Sequence, residues 1–153
     1  IPASNRRMKR VIISSEPISA EVALAGLADL GGGAASSFIG ISRDDGGVTA
    51  IELEHYPAMT ELSMTRIVDQ AFARWALLGA AIVHRVGRVA VGEPVVVVGA
   101  ASRHRADALE ATAFLIDRLK TDAPFWKKEH YSDGTSVWVD AKATDNVRSA
   151  RWS

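Results

Sequence analysis

The chain has 153 residues, with 18 basic and 18 acidic side chains, no cysteine and a formal net charge of zero. That length suits one domain with a substantial core. A cysteine-free chain has no disulfides, thiolate metal sites, cysteine nucleophiles or persulfide relays of its own.

The charge is unevenly spread. Arg6, Arg7, Lys9 and Arg10 fall within the first ten residues, which leaves 14 basic against 18 acidic residues, a net of −4, for the rest. A body of that sign is a poor general binder of nucleic acid, because nonspecific affinity comes mainly from phosphate neutralisation. Any anion site must therefore be local. No apolar run approaches the roughly 20 residues needed to span a bilayer, and the basic start leading into Val11, Ile12 and Ile13 is too short for a signal peptide. The expectation is a soluble cytoplasmic protein with neither nucleic acid nor membrane as partner. The first residue is Ile1 rather than methionine, which fits a start that is missing or processed. His55, His84, His104 and His130 show no close metal-ligand spacing, so no structural metal is expected.

In chain order, residues 1–10 read as a disordered basic arm and residues 11–153 as a single domain. Val11 to Ser14 is a short strand. Ser19 can cap a helix reaching Leu30, with Val22, Leu24, Leu27 and Leu30 partly periodic and Gly31 ending it. After the glycines at 31–33, Ala35 to Ser42 reads as a strand carrying Phe38 and Ile41, in which Gly40 permits a bulge or a close backbone approach. Arg43 closes it. Asp44, Asp45, Gly46 and Gly47 then signal a turn, predicting a hairpin to a strand over Val48 to Tyr56.

A helix follows Pro57, with Met64, Ile67, Val68, Ala71, Phe72, Trp75 and Leu78 at helical spacing and Gly79 closing the run. Strands come next around Ala81 to Val86 and Val95 to Ala101, with Gly92, Glu93 and Pro94 at the turn between them. The unbroken run Val95 to Val98 predicts a central strand buried on both faces. His84 and Arg85 flank this sheet and read as structural. Toward the end, Ser132, Asp133 and Gly134 form a hairpin turn into Thr135 to Val139, where Trp138 is expected to pack. Lys142 lies just beyond, and Trp152 is placed to tie the tail down. Hairpin pairs separated by three helices predict an α+β fold with a mainly antiparallel sheet. There is no glycine-rich nucleotide loop and no serine nucleophile elbow.

The stretch Ser102 to Tyr131 carries the chemistry. If Ala106 to Lys120 is helical, Leu109, Ala113, Ile116 and Lys120 share one face, with Asp107, Glu110, Asp117 and Arg118 opposite. Lys120 then continues an apolar stripe, either as a snorkelling lysine near the helix end or as a functional amine. Pro124 cannot continue the helix, so Phe125 to Tyr131 leaves as a strand with Phe125, Lys127, Glu129 and Tyr131 on one face. The short turn brings Lys127 near Lys120, and two desolvated ammonium groups lower one another's pKa, favouring a base or nucleophile. Glu129 can tune Lys127 from the same face. At the other helix end, His104 and Arg105 stand beside free N–H groups, either as a phosphate seat or as a solvated basic turn.

Three segments, LEHYPAMTE at 53–61, SRHRADALEA at 102–111 and LKTDAPFWKKE at 119–129, together closely resemble the large, catalytic subunit of molybdopterin synthase, the MoaE family. The resemblance runs from about Ala34 to Trp152 and leaves out the arm before Val11. It implies an α/β-hammerhead fold and a homodimer that binds two copies of a small ubiquitin-like sulfur carrier, a 2:2 heterotetramer. The carrier's C-terminal Gly-Gly bears a thiocarboxylate, and together the subunits convert cyclic pyranopterin monophosphate to the dithiolene of molybdopterin for molybdenum cofactor biosynthesis. No permanently bound cofactor is implied.

Carried over by position, the active-site lysines fall on Lys120 and Lys127, the anion-binding residues on Arg43, His104 and Arg105, and supporting positions on Phe38 and Glu129. Ile116 stands where some relatives carry methionine, at similar volume. Lys142 stands where relatives can carry arginine, which weakens any bidentate phosphate contact there. Composition agrees with this role, since a cysteine-free chain does sulfur chemistry only if a partner brings the sulfur. The alternative from another class is a noncatalytic adaptor that binds pterin phosphate or another anion and docks a partner's C-terminal tail. One further expectation comes from length: the 15 positions between Arg105 and Lys120 span roughly 22 Å of helix, so a shared site takes either a two-fold dimer, the reading preferred here, or a bend before the helix that folds Arg105 back.

Overall fold

The computed structural model describes residues 7–139 and 143–153. Its strands form two four-stranded sheets rather than one. The first contains β1 (Met8–Ser14), β4 (Leu77–Arg85), β6 (Pro94–Ser102) and β2 (Ala34–Ile41), in the spatial order β1-β4-β6-β2. The second contains β5 (Gly87–Ala90), β3 (Val48–His55), β7 (Phe125–Tyr131) and β8 (Ser136–Val139), in the order β5-β3-β7-β8. All pairings are antiparallel except β1 with β4. With the helices this is the expected mixed α+β class with mainly antiparallel pairing.

Strand β6 lies between β4 and β2, as its valine run predicts. Val96, Val98 and Ala100 face a core built with α2 (Pro57–Arg74) and α3 (Arg105–Asp122), while Val97 and Ala101 face the opposite side. That side is covered by α1 (Ala20–Ala23) and a 3₁₀ turn at Leu27–Asp29. The cover lies close because Gly79 and Gly99 lack side chains: a Cβ on Gly99 would stand 2.7 Å from Leu24 Cδ2, and one on Gly79 2.6 Å from Leu30 Cδ1. Gly40 plays the part expected of it. The β2–β6 register shifts between Gly40 and Ile41, and a Cβ on Gly40 would meet Val96 Cγ1 at 2.8 Å.

Several expectations are corrected. The disordered arm does not reach residue 10, because Met8–Arg10 already pairs with β4, Lys9 bonds Asp69 at 2.9 Å and Arg10 donates to the Ala23 carbonyl at 2.7 Å. Ser19 does cap α1, but the helix lasts four residues because Gly26 turns the chain at φ 87°. The turn after Arg43 does not close a hairpin; it carries the chain from β2 in one sheet to β3 in the other. Helix α2 stops at Arg74, and Leu78 and Gly79 belong to β4. Four α-helices, not three, occur among the described residues, the fourth being α4 (Ala143–Ala150). Trp138 is half exposed, with Lys128 Nζ 5.3 Å above its ring.

The largest correction concerns α3. Its buried face is Ala108, Ala111, Thr112, Leu115 and Leu119, with Phe114 beside them, whereas Leu109 is exposed. Asp117, expected on the solvent side, is buried beneath the C-terminal tail. Trp152 Nε1 donates to it at 2.8 Å, the Arg151 guanidinium reaches it at 2.9 Å, and Arg148 stands 4.0 Å away. Trp152 also packs edge-on against Trp75 and Phe114, so it ties down the tail as expected. No helix among the described residues is long and apolar enough to cross a membrane.

Removing the buried Asp117 carboxylate takes away the acceptor of the Trp152 indole, whereas the exposed Arg148 and Arg151 can turn to water. Asp117→Ala is therefore expected to lower unfolding free energy by about 1–2 kcal/mol. Urea denaturation measures this, and a loss under about 0.5 kcal/mol would reduce the clamp to an ordinary surface ion pair.

Candidate active site

A cavity of about 450 Å³ opens where the two sheets and α3 meet. Strand β2 and the turn after it contribute Phe38, Gly40 and Arg43; α3 contributes Leu119 and Lys120; β7 contributes Phe125, Lys127 and Glu129. The α3 to β7 connection sets this geometry. Ala123 is extended (φ −88°, ψ 128°) ahead of Pro124, and the fully buried Thr60 of α2 donates its hydroxyl to the Pro124 carbonyl at 3.2 Å. Thr121 secures the helix end, bonding the Arg118 carbonyl at 3.3 Å and Ser149 Oγ at 2.9 Å. Beyond the proline turn, strand alternation aims Lys127 and Glu129 to the side occupied by Lys120. Pairing with β3 fixes the register, Leu53 opposite Lys127 and Ile51 opposite Glu129.

Five of the sequence-predicted residues thus line one cavity: Phe38, Arg43, Lys120, Lys127 and Glu129. Lys120 gets there from the flank of α3 beside buried Leu119, not from the end of a buried stripe. Arg43 is exposed and its Nε donates to Asp45 at 2.9 Å. Tyr131, expected on the Glu129 face, donates its hydroxyl to that carboxylate at 3.4 Å. His104 and Arg105 do not line the cavity. His104 is the N-cap residue of α3, Arg105 is its first helical residue, and both are exposed. The Ser102 hydroxyl bonds the His104 carbonyl and fixes that corner. Lys142 lies outside the described residues.

The cavity also holds a residue that sequence reasoning set aside as structural. His84 lines it while only 6% exposed. Its ring stacks on Phe125 at 3.8 Å between centroids and 13° between planes, and Phe125 in turn stacks with His55 at 6.3 Å. Nδ1 lies 2.6 Å from the Arg85 carbonyl. Burial pushes its pKa down to about 4, against the raising effect of that carbonyl, and the charges of Lys120 and His55 push the same way as burial. The signal that finds it is strand parity, since Ala80, Ile82 and His84 alternate onto one face and the first two belong to the core shared with α3.

The arrangement gathers three cations, Arg43, Lys120 and Lys127, and three carboxylates, Asp45, Glu129 and Asp145, around a partly enclosed space with one apolar wall. Such groups stabilise developing oxyanions and transfer protons to or from a bound reactant.

Comparison with known proteins identifies relatives of the chain. The family model described as MoaE protein matches residues 13–122. The molybdopterin synthase catalytic subunit of Mesorhizobium japonicum is 49% identical over 139 residues, covering 88% of this chain and 86% of that protein. Among solved structures, molybdopterin cofactor biosynthesis protein E from Burkholderia multivorans superposes with a TM-score of 0.81 at 40% identity, covering 95% of this chain and 97% of that one. Molybdopterin synthase from Staphylococcus aureus superposes with a TM-score of 0.77 at 31% identity, covering 86% and 96%.

The buried imidazole gives a pH signature. A histidine pKa depressed by folding contributes stability that is present above about pH 6.5 and lost as pH falls toward 4, because the unfolded chain takes up the proton first. Relative to a His84→Phe chain, the native chain is expected to lose about 3 kcal/mol of stability between pH 7.5 and 4. Denaturant titrations of both chains across that range measure the difference, and parallel pH profiles would contradict it.

Proposed function

The chain belongs to the MoaE protein family, and from that premise we propose that it is the catalytic subunit of a molybdopterin synthase. In this reading it transfers sulfur from a thiocarboxylated carrier subunit to cyclic pyranopterin monophosphate. The observation that carries the site assignment is the convergence of Lys120 and Lys127, from opposite sides of the Pro124 turn, on one cavity with Phe38, Arg43 and Glu129. The carrier's thiocarboxylate sulfur attacks an oxygen-bearing carbon of the pterin side chain; the carbon–sulfur bond forms as that carbon–oxygen bond breaks, the departing oxygen taking up a proton, and the product is a thioester between carrier and pterin. Water then cleaves that thioester, releasing the carrier as a carboxylate and leaving the sulfur on the pterin. A second charged carrier repeats the sequence to complete the dithiolene. Both sulfurs come from the partner, consistent with a chain that has no cysteine.

Lys120 and Lys127 transfer protons and stabilise the oxyanions that develop at the carrier's terminal carbonyl. Phe38 supplies an apolar wall and Glu129 orients Lys127. Arg43 holds the substrate phosphate together with His104 and Arg105, and Lys142 assists on the strength of the resemblance alone. Since a helix rises about 1.5 Å per residue, Arg105 and Lys120 stand roughly 22 Å apart along α3. One small pterin cannot bridge that distance within one chain. A two-fold homodimer places His104 and Arg105 of one protomer beside Lys120 and Lys127 of its partner, in a 2:2 assembly with the carrier.

Purified chain, mixed with thiocarboxylated carrier and precursor, is expected to yield dithiolene product. A noncatalytic adaptor would bind both and yield none. Lys120→Ala is expected to lower product formation by about 100-fold or more while melting stays near native, and Lys120→Arg also fails if a neutral amine is needed. Near-normal turnover by a folded Lys120→Ala chain would remove this lysine from the chemistry.

The shared site is tested by mixing inactive Arg105→Ala and Lys120→Ala chains under subunit exchange. Each mixed dimer is expected to regain one intact site. Mixed dimers verified by mass spectrometry that stay inactive would overturn the shared site.

A further inference from the structure

His84 is buried in the cavity wall, and two contacts fix its ring. The Arg85 carbonyl, which can only accept, lies 2.6 Å from Nδ1, so Nδ1 carries the proton. The Phe125 ring stacks on its face at 3.8 Å. A neutral imidazole protonated at Nδ1 has Nε2 as an acceptor, and ring geometry directs Nε2 away from the carbonyl that holds Nδ1.

The cavity that His84 lines also carries Lys120 on α3, Lys127 and Glu129 on β7, Asp145 on α4 and, beyond β2, Arg43 with its partner Asp45, while His55 on β3 stacks on Phe125. Of these, the charges of Lys120 and His55 add to burial in lowering the imidazole's pKa. With burial, they keep it neutral at ordinary pH. A neutral acceptor orients an ammonium group without cancelling its charge, whereas a carboxylate in the same place would hold it as an ion pair.

We propose that His84 is a positioning residue of this site: a buried imidazole, fixed by the Arg85 carbonyl and the Phe125 ring, whose Nε2 accepts a hydrogen bond from the Lys120 ammonium once the carrier is bound and orients it there. The inference rests on the reading of Lys120 as a lysine at the reacting centre. Strand β4 gains a functional role from it, since the ring's position follows from the β4 backbone, paired with β1 and β6 on either side.

Two variants separate this role from packing. His84→Phe keeps a ring to stack on Phe125 and removes both nitrogens; His84→Gln keeps a side-chain acceptor and removes the stack. The titration midpoint of Lys120 is read by NMR on chain carrying ¹³C-labelled lysine, in complex with unmodified carrier. His84→Phe is expected to lower that midpoint by about 0.5 or more, through loss of an acceptor for the charged form, while the midpoint of Lys128 stays put. With thiocarboxylated carrier and precursor, the same variant is expected to lower kcat roughly tenfold or more at unchanged KM. His84→Gln recovers part of that loss.

In a Lys120→Ala background His84→Phe is expected to cost little further, as two residues acting through one group do. An unmoved Lys120 midpoint in a folded His84→Phe chain, or the same fold-loss of kcat with and without Lys120, would overturn the proposal. Full turnover by Lys120→Ala alone would instead overturn the role of Lys120 in the chemistry, while the NMR titration still decides whether His84 orients it.

Discussion

The site depends on how α3 gives way to β7. Over the segment from Lys120 to Lys127 the chain must leave a helix, pass a residue that cannot donate a backbone hydrogen bond, and enter a strand in fixed register. Pro124 imposes the change of conformation, and its carbonyl is held by the buried Thr60 in the first turn of α2. Pairing of β7 with β3 then leaves no freedom of register, because a slip by one residue would turn Lys127 and Glu129 to the opposite face. Two cations that repel one another are thus held on one cavity by backbone geometry anchored in the core.

The rest of the fold supports that junction from both sides. Strand β6, buried on two faces, carries α2 and α3 on one side and the α1 segment on the other, with glycines at 79 and 99 letting the cover sit close. The C-terminal tail locks α3 through Asp117, three residues before Lys120. His84 completes the enclosure as a neutral wall. A charged imidazole there would stand in a dry place beside Lys120, and burial together with that lysine disfavours the charged form.

Features governed by neighbours along the chain were legible in the sequence. The proline break, the alternation of Phe125, Lys127 and Glu129, the Ser19 cap and the buried valine strand all follow from local rules, and the structure shows each of them. What the sequence hid depends on contacts between distant segments. Asp44 to Gly47 is a good turn whether it joins partners in one sheet or strands in two. Gly79 looks like a helix stop, yet it is the gap that admits Leu30 and Leu27. The run from Ala106 to Leu119 is apolar on so much of its circumference that periodicity does not choose its buried face. Asp117 is buried only because residues more than thirty positions later cover it. His84 was hidden for the same reason, since nothing near it in sequence tells that α3 brings a lysine to its side. The separation of His104 and Arg105 from the lysines, by contrast, follows from helix length alone.

In the proposed reaction the carrier's C-terminus ends in the cavity between Lys120 and Lys127, where amine acylation can locate it. A carrier whose terminal glycine is activated as a thioester would be bound to the native chain, and the resulting amide located by peptide mass spectrometry. Of the five lysines, Lys9, Lys120, Lys127, Lys128 and Lys142, acylation is predicted at Lys120 or Lys127 and not at neighbouring Lys128, whose ammonium lies over Trp138 on the other face of β7. Acylation confined to Lys9, Lys128 or Lys142 in a complex with native carrier affinity would contradict it.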